Sequence, residues 1–261
     1  MTNIAPNASV RIAWEEHGRG EPLLLIQGLG YGRWGWSPLV PLLSKEYRVI
    51  TFDNRGIGDS SAPLGPYDAA SMAGDAVAVL EAAGVDRSHV AGTSLGGMIA
   101  QELALRWPQR IKRLMLMCTT PGGSDAYPMP EETAEMIAAA VGWDQRTALH
   151  KFVENALSDQ APAEVFEEIL KLRLANPQSP AAWASQAAAG MTYDGGGRVA
   201  RIRAPTLVMH GTSDRVVDYR NSELLAALIP NAELCLFPDG GHLFFWEEAD
   251  SVAKTMIGFL A

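Results

Sequence analysis

Cysteine is scarce: the chain of 261 residues holds two, Cys118 and Cys235. Both lie inside apolar, strand-like runs, where a lone thiol behaves as a small core hydrophobe rather than as a metal ligand or half of a disulfide. No metal site is expected. Positive charge is also short, with 21 Lys and Arg against 30 Asp and Glu and a net charge of −9. A surface of that sign repels a phosphate backbone, which argues against nucleic acid as a partner. Uninterrupted apolar stretches of the ~20 residues that a membrane span needs are missing as well. The opening MTNIAPNASV has neither the basic nor the apolar region of a signal peptide. The expectation is therefore a cytoplasmic protein with no membrane partner.

What is present is the composition of an ordinary globular protein, 48% hydrophobic and 20% charged, long enough for one large α/β domain with an insertion. Strand-like runs bounded by turn residues recur in the first half: LLLIQ, YRVITFD, HVAGTS and RLMLMCTT. Helical patterns lie between them, around Ser37 to Leu43, Ala69 to Ala83 and Gly96 to Trp107. Short apolar strands alternating with helices indicate a mostly parallel sheet covered on both faces. The pattern returns late, with APTLVMHG and AELCLFP as strands, NSELLAALIP as a helix and a last helix from Glu247 to Leu260. Between Pro121 and about Arg198 the strands vanish, and Ala-, Glu- and Leu-rich segments punctuated by proline read as several short helices. The chain thus divides into an α/β core of residues 1–120 and 199–261 and a helical insertion of residues 121–198.

Within VAGTSLGGM, Ser94 stands where a β-branched run turns into a helix, with Gly92 two residues before it and Gly96 two after. A nucleophile held at a sharp strand-to-helix turn needs small neighbours at those two positions, and Gly97 lets the helix pack closely on the sheet. The plainer alternative is a glycine-rich turn carrying an N-cap serine; the strand before and the helix after favour the nucleophile. Serine is weakly nucleophilic at neutral pH and needs an imidazole to take its proton and a carboxylate to orient that imidazole. Of five histidines, His17, His89 and His150 read as structural or solvated, and His210 as a satisfied histidine at a strand end. His242 lies in the loop PDGGHLFF after the last strand, where strand C-termini gather. Asp214, just after the preceding strand, is the carboxylate candidate; Asp218 is the reserve, and Asp239 is too close to His242 in sequence to be favoured.

With these residues in place the chain resembles the α/β-hydrolase superfamily over essentially its whole length. The resemblance rests on QGLG, DNRGIGDS, GTSLGG, HGTSD and GGH, with the order Ser94, Asp214, His242. It implies the fold of that superfamily, with the insertion as a helical cap. It also implies an oxyanion hole made by the backbone N–H groups of Leu29 and Leu95. Where many relatives carry His before the early glycine, this sequence has Gln27, which can still hydrogen-bond the loop. DNRGIGDS reads as a tight turn supporting the floor of the site rather than a phosphate cradle, since no Walker lysine follows it. Trp34 and Trp36 are open between core packing and pocket wall. Trp36, Trp143, Phe166 and Trp183 are carried forward as pocket candidates.

The resemblance implies a cofactor-independent serine hydrolase acting on a small-molecule substrate, a small and largely apolar carboxylic ester or lactone. Enol-lactonases share the short helical cap and the SLGG turn, and C–C bond hydrolases and perhydrolases use the same triad. Epoxide hydrolases and dehalogenases are disfavoured because they carry Asp where Ser94 stands. The hydroxynitrile lyases with Lys after the catalytic histidine are disfavoured by Leu243. A slow-turnover ligand-binding receptor on the same fold is the alternative from another class.

Overall fold

The structure is a computed structural model that describes residues 1–261. Its strands are β1 (Asn3–Asn7), β2 (Val10–His17), β3 (Glu21–Ile26), β4 (Tyr47–Phe52), β5 (Ser88–Thr93), β6 (Ile111–Met117), β7 (Thr206–Gly211) and β8 (Ala232–Phe237). They form one sheet in the order β1-β2-β4-β3-β5-β6-β7-β8. From β4 to β8 every pairing is parallel, while β1 and β2 add an antiparallel edge. The helices of the core are α1 (Val40–Leu43), α2 (Ala69–Ala82), α3 (Leu95–Arg106), α8 (Arg220–Leu228), α9 (Phe244–Glu247) and α10 (Ala249–Leu260). The insertion supplies α4 (Glu131–Ala139), α5 (Gln145–Ala156), α6 (Ala163–Ala175) and α7 (Pro180–Met191).

Successive strand residues point to opposite faces, and both faces are covered, which explains the unbroken apolar runs of the inner strands. Leu24, Ile26, Val90 and Leu116 pack with α2, α3 and α8 on one side. Leu23, Leu25, Ala91 and Met115 pack with α1, α9 and α10 on the other. Two antiparallel strands at the start are absent from the sequence reading, which places His17 in a polar turn. NIAPN buries only Ala5 and carries Pro6, and such a strand is held by pairing at an edge rather than by its own apolar pattern. The last helix is broken into α9 and α10 at Glu248, whose φ of −128° and ψ of 47° are not helical.

No strand lies between β6 and β7, where the chain leaves the sheet to form α4–α7. Its two stems are clamped together: Gly122 bridges Asp194, and Gly195 N donates to Pro121 O at 2.7 Å. No helix is long and apolar enough to cross a membrane.

Candidate active site

Ser94 joins β5 to α3 with φ 54° and ψ −122°, a conformation that non-glycine residues adopt only when their surroundings enforce it. The enforcement is visible on both sides. A Cβ on Gly92 would lie 2.2 Å from Gly96 O, and one on Gly96 would lie 2.1 Å from Ile26 O. Ser94 N donates to Met117 O at 2.9 Å, and Thr119 Oγ1 donates to Ser94 O at 2.7 Å, so β6 holds the turn from the other flank. Leu95 opens α3, and its N–H has no acceptor within the chain, as expected of a first-turn donor.

The loop after β3 runs beside this turn, close enough that a Cβ on Gly28 would stand 3.6 Å from Ser94 Oγ. Gln27 Oε1 accepts from Gly28 N at 3.0 Å, and Asn54 Nδ2 donates to Gln27 O at 2.8 Å. The DNRGIGDS turn thus braces the loop, while its Asp53 accepts from Arg33 N at 2.7 Å and Asp59 N at 3.0 Å. The Leu29 N–H has no acceptor in the chain. Two unclaimed backbone donors, those of Leu29 and Leu95, therefore belong to the two segments that flank Ser94.

Asp214 and His242 follow β7 and β8 and meet at the same end of the sheet, with His242 Nδ1 2.7 Å from Asp214 Oδ2. Asp214 Oδ1 accepts from Val216 N at 2.7 Å and Val217 N at 2.9 Å. Asp218 pairs with Arg220, and Asp239 is exposed; the carboxylate that pairs with His242 is Asp214. Burial alone would push the Asp214 carboxyl upward, but the charge of His242 and the hydrogen bonds from His210 and His242 overcome it and hold the carboxyl well below the usual range. For His242, burial works against the charged form, yet the adjacent Asp214 carboxylate and the Cys118 thiol raise it above the ordinary imidazole value. The imidazole bonds to Asp214 and stands beside Cys118; no hydrogen bond joins it to Ser94 Oγ in this structure.

Two neighbours escaped the sequence reading. His210, assigned there to a satisfied strand end, lies with Nε2 2.8 Å from Asp214 Oδ2. Cys118, assigned to the core, is fully buried with φ 38° and has its Sγ 2.9 Å from Thr93 Oγ1. Their only sequence signal is position, since each ends a strand that points into the site. His17, His89 and His150 lie elsewhere, against Glu15, Glu21 and Phe166 respectively.

The pocket candidates divide. Trp36 is corrected: it has no accessible surface, packs 5.4 Å from Phe245 of α9 and belongs to the core cluster on that face of the sheet. Trp183 stacks on Phe152 at 6.2 Å within the insertion, and Phe166 meets His150 edge-on at 4.8 Å. Trp143 is half-buried just before α5. A groove of about 440 Å³ lies on the outer side of the acid loop, lined by polar residues including Ser158, Thr212, Arg215 and Asp239. The Asp214 side chain has no accessible surface there, so this groove stops short of the Asp214–His242 pair.

The insertion reaches the site through α5, whose Ala156 O accepts from Leu243 N at 2.9 Å, and through the α6–α7 pair. Gln186, without accessible surface, accepts from Gly30 N at 3.3 Å and donates to Arg55 O at 2.8 Å. Gln178 Nε2 donates to Gly56 O at 3.0 Å. Arg173, only 9% exposed, stacks 4.8 Å above the Tyr31 ring, and its Nη2 lies 2.8 Å from where a Gly30 Cβ would stand. It has neither a hydrogen bond nor a carboxylate partner within the chain. No group of three or more His, Cys, Asp or Glu side chains is arranged to hold a metal ion.

Comparison with known proteins bears on the family and the fold. The sequence profile of a family described as "alpha/beta hydrolase fold" matches residues 21–249. RutD of Azorhizobium caulinodans, a carbamate hydrolase by provisional name, is 31% identical over 94% of this chain and 93% of its own. A 2-hydroxy-6-oxo-6-phenylhexa-2,4-dienoate hydrolase of Burkholderia cepacia is 31% identical over 97% of this chain and 92% of its own. The crystal structure of an enol-lactonase from Burkholderia xenovorans LB400 superposes with a TM-score of 0.87 at 27% identity, covering 99% of each chain.

Proposed function

The chain belongs to the alpha/beta-hydrolase family, and from that premise we propose that it is a serine hydrolase that cleaves a small carboxylic ester or lactone through an acyl-enzyme. The observation that carries the reading is the enforced φ of 54° at Ser94, which a merely capping serine does not need. Ser94 Oγ attacks the carbonyl carbon while His242 Nε2 takes its proton. Nδ1 is committed to Asp214, which leaves Nε2 as the base, and the Ser94–His242 hydrogen bond forms with substrate in place. The unclaimed N–H groups of Leu29 and Leu95 receive the developing oxyanion; one such donor is worth ~10²–10³ in rate. His242 then protonates the leaving group, and water, deprotonated by the same imidazole, releases the acid. No metal or cofactor enters this scheme.

Arg173 favours a second reading on the same triad. Its guanidinium, 9% exposed and without a hydrogen bond or carboxylate in the chain, is free to pair, and a substrate carboxylate is the complement its planar fork fits best. Of the substrates named for the relatives, the 2-hydroxy-6-oxo-6-phenylhexa-2,4-dienoate is a carboxylate of this kind. The test is steady-state turnover of p-nitrophenyl butyrate, of a p-nitrophenyl ester bearing a free carboxylate, and of 2-hydroxy-6-oxo-6-phenylhexa-2,4-dienoate, each with the wild type and Ser94→Ala. Loss of turnover in the variant supports the nucleophile, and the preferred substrate selects between the readings. Undiminished turnover in Ser94→Ala rejects both. Binding followed by a single turnover points instead to a receptor.

A further inference from the structure

His210 plays no part in the steps above, yet it is bound into them. It has no accessible surface, and its Nε2 lies 2.8 Å from Asp214 Oδ2 and 3.1 Å from Val217 O. Both partners are acceptors, so Nε2 carries a hydrogen. Nδ1 lies 2.6 Å from Ser222 Oγ at the start of α8. In a neutral ring Nδ1 then accepts, and the Ser222 hydroxyl donates to it. Ser222 is itself without accessible surface. A second serine–histidine–aspartate series thus runs into the same carboxylate from the buried side, closed to any substrate. Two imidazoles, one on each side, share the single oxygen Oδ2.

We propose that His210 is a positioning residue for the Ser94 reaction: it pins Oδ2 of Asp214 and shares its charge, so that the carboxylate orients His242 without holding the His242 proton too tightly. The inference rests on the triad reading. The Val216 and Val217 N–H groups already fix Oδ1, and without His210 the other oxygen would answer to His242 alone. The charges around this series are few. Asp214 faces both imidazoles, His242 also faces the Cys118 thiol, and Asp218, close to His210, is neutralised by Arg220. With the His210 N–H removed, the full charge on Oδ2 falls to His242, which keeps its proton to a higher pH. Because His242 must be neutral to act as the base, the acid limb of kcat/KM moves upward.

The experiment is the pH profile of kcat/KM on p-nitrophenyl acetate for the wild type, His210→Ala, His210→Gln and Ser94→Ala. It is paired with the low-field proton resonance of the His242 Nδ1–H, which needs no substrate. His210→Ala is expected to lower plateau kcat/KM by about 10- to 100-fold, the worth of one hydrogen bond to a charged group, and to move the acid limb up by about one pH unit. The resonance should shift with it. His210→Gln, whose amide can place an N–H near the same oxygen, should recover most of both effects. A rate loss with an unmoved acid limb and resonance, or no recovery with Gln, overturns the role. Should His210→Ala fail to fold, Ser222→Ala removes the donor that fixes the His210 tautomer. A smaller shift of the same sign is then expected, and a wild-type profile overturns the proposal. Turnover that survives in Ser94→Ala strikes at the triad itself, whereas an inactive Ser94→Ala beside an unaltered His210→Ala rejects the His210 role alone.

Discussion

At the end of the sheet where Ser94, Asp214 and His242 gather, positions are held largely by main chain. Ser94 N is tied to Met117 O, Asp214 Oδ1 to two backbone N–H groups, and the glycines beside Ser94 leave no room for a Cβ. In the α4–α7 insertion one main-chain contact reaches that end, Leu243 N to Ala156 O at 2.9 Å, and on the Ser94 side the contacts come from the long side chains Gln178, Gln186 and Arg173. Main-chain fixation sets reacting atoms to within a fraction of an ångström and is hard to change piecemeal. Side chains reaching down from helices can be exchanged singly without disturbing the sheet. On the proposed reading, the difference gives the chemistry to the core and the choice of substrate to the insertion.

The largest expected effect strikes the core. Ser94→Ala should lower kcat by 10⁴-fold or more while leaving the thermal transition near that of the wild type, because only the reacting atom is removed. Rates and melting curves on one preparation check both halves. Gly96→Ala should instead damage the frame itself. Its Cβ would press on the backbone oxygen of Ile26, and a loss of about 3 kcal/mol should lower Tm by roughly 10 °C. An unchanged Tm would show that the turn is not sterically enforced.

Changes in the insertion should be smaller and selective. Arg173→Met is expected to raise KM about 10- to 100-fold for a carboxylated ester and to leave p-nitrophenyl butyrate within about twofold. Equal losses on both substrates would erase the division between chemistry and selection. Gln186→Ala frees the Gly30 N–H beside Leu29 and should lower kcat by a few-fold, more than it changes KM. The converse split would make Gln186 a substrate contact. The mildest test is pH. His242 is held above the ordinary imidazole value and must be neutral to act, so kcat/KM should rise with pH and reach half its plateau above pH 6.5. Asp214 stays ionised throughout that range because its carboxyl is held below the usual one.

The same contrast governs what could be read without a structure. GTSLGG is legible because a steric rule acts on adjacent residues, and the rule names glycine two places either side of Ser94. The parallel sheet is legible because strands buried on both faces must be apolar throughout. Contacts between distant segments leave no such trace. Arg173 sits in FEEILKLRLA, where an isolated arginine reads as a solvated helix face, and only the placement of α6 over Gly30 makes it a buried cation. His210 at the end of β7 has the pattern of any core histidine until Asp214 folds back onto it. Trp36 read equally well as wall or core, and the packing of Phe245 from the far end of the chain decided for core.

The most direct test of Ser94 as nucleophile is intact-protein and peptide mass spectrometry after treatment with a small fluorophosphonate. One phosphonyl adduct on the peptide containing Ser94, absent from Ser94→Ala and greatly slowed in His242→Ala, is the expected result. Labelling at another residue, or of Ser94 at the same rate without His242, would contradict it.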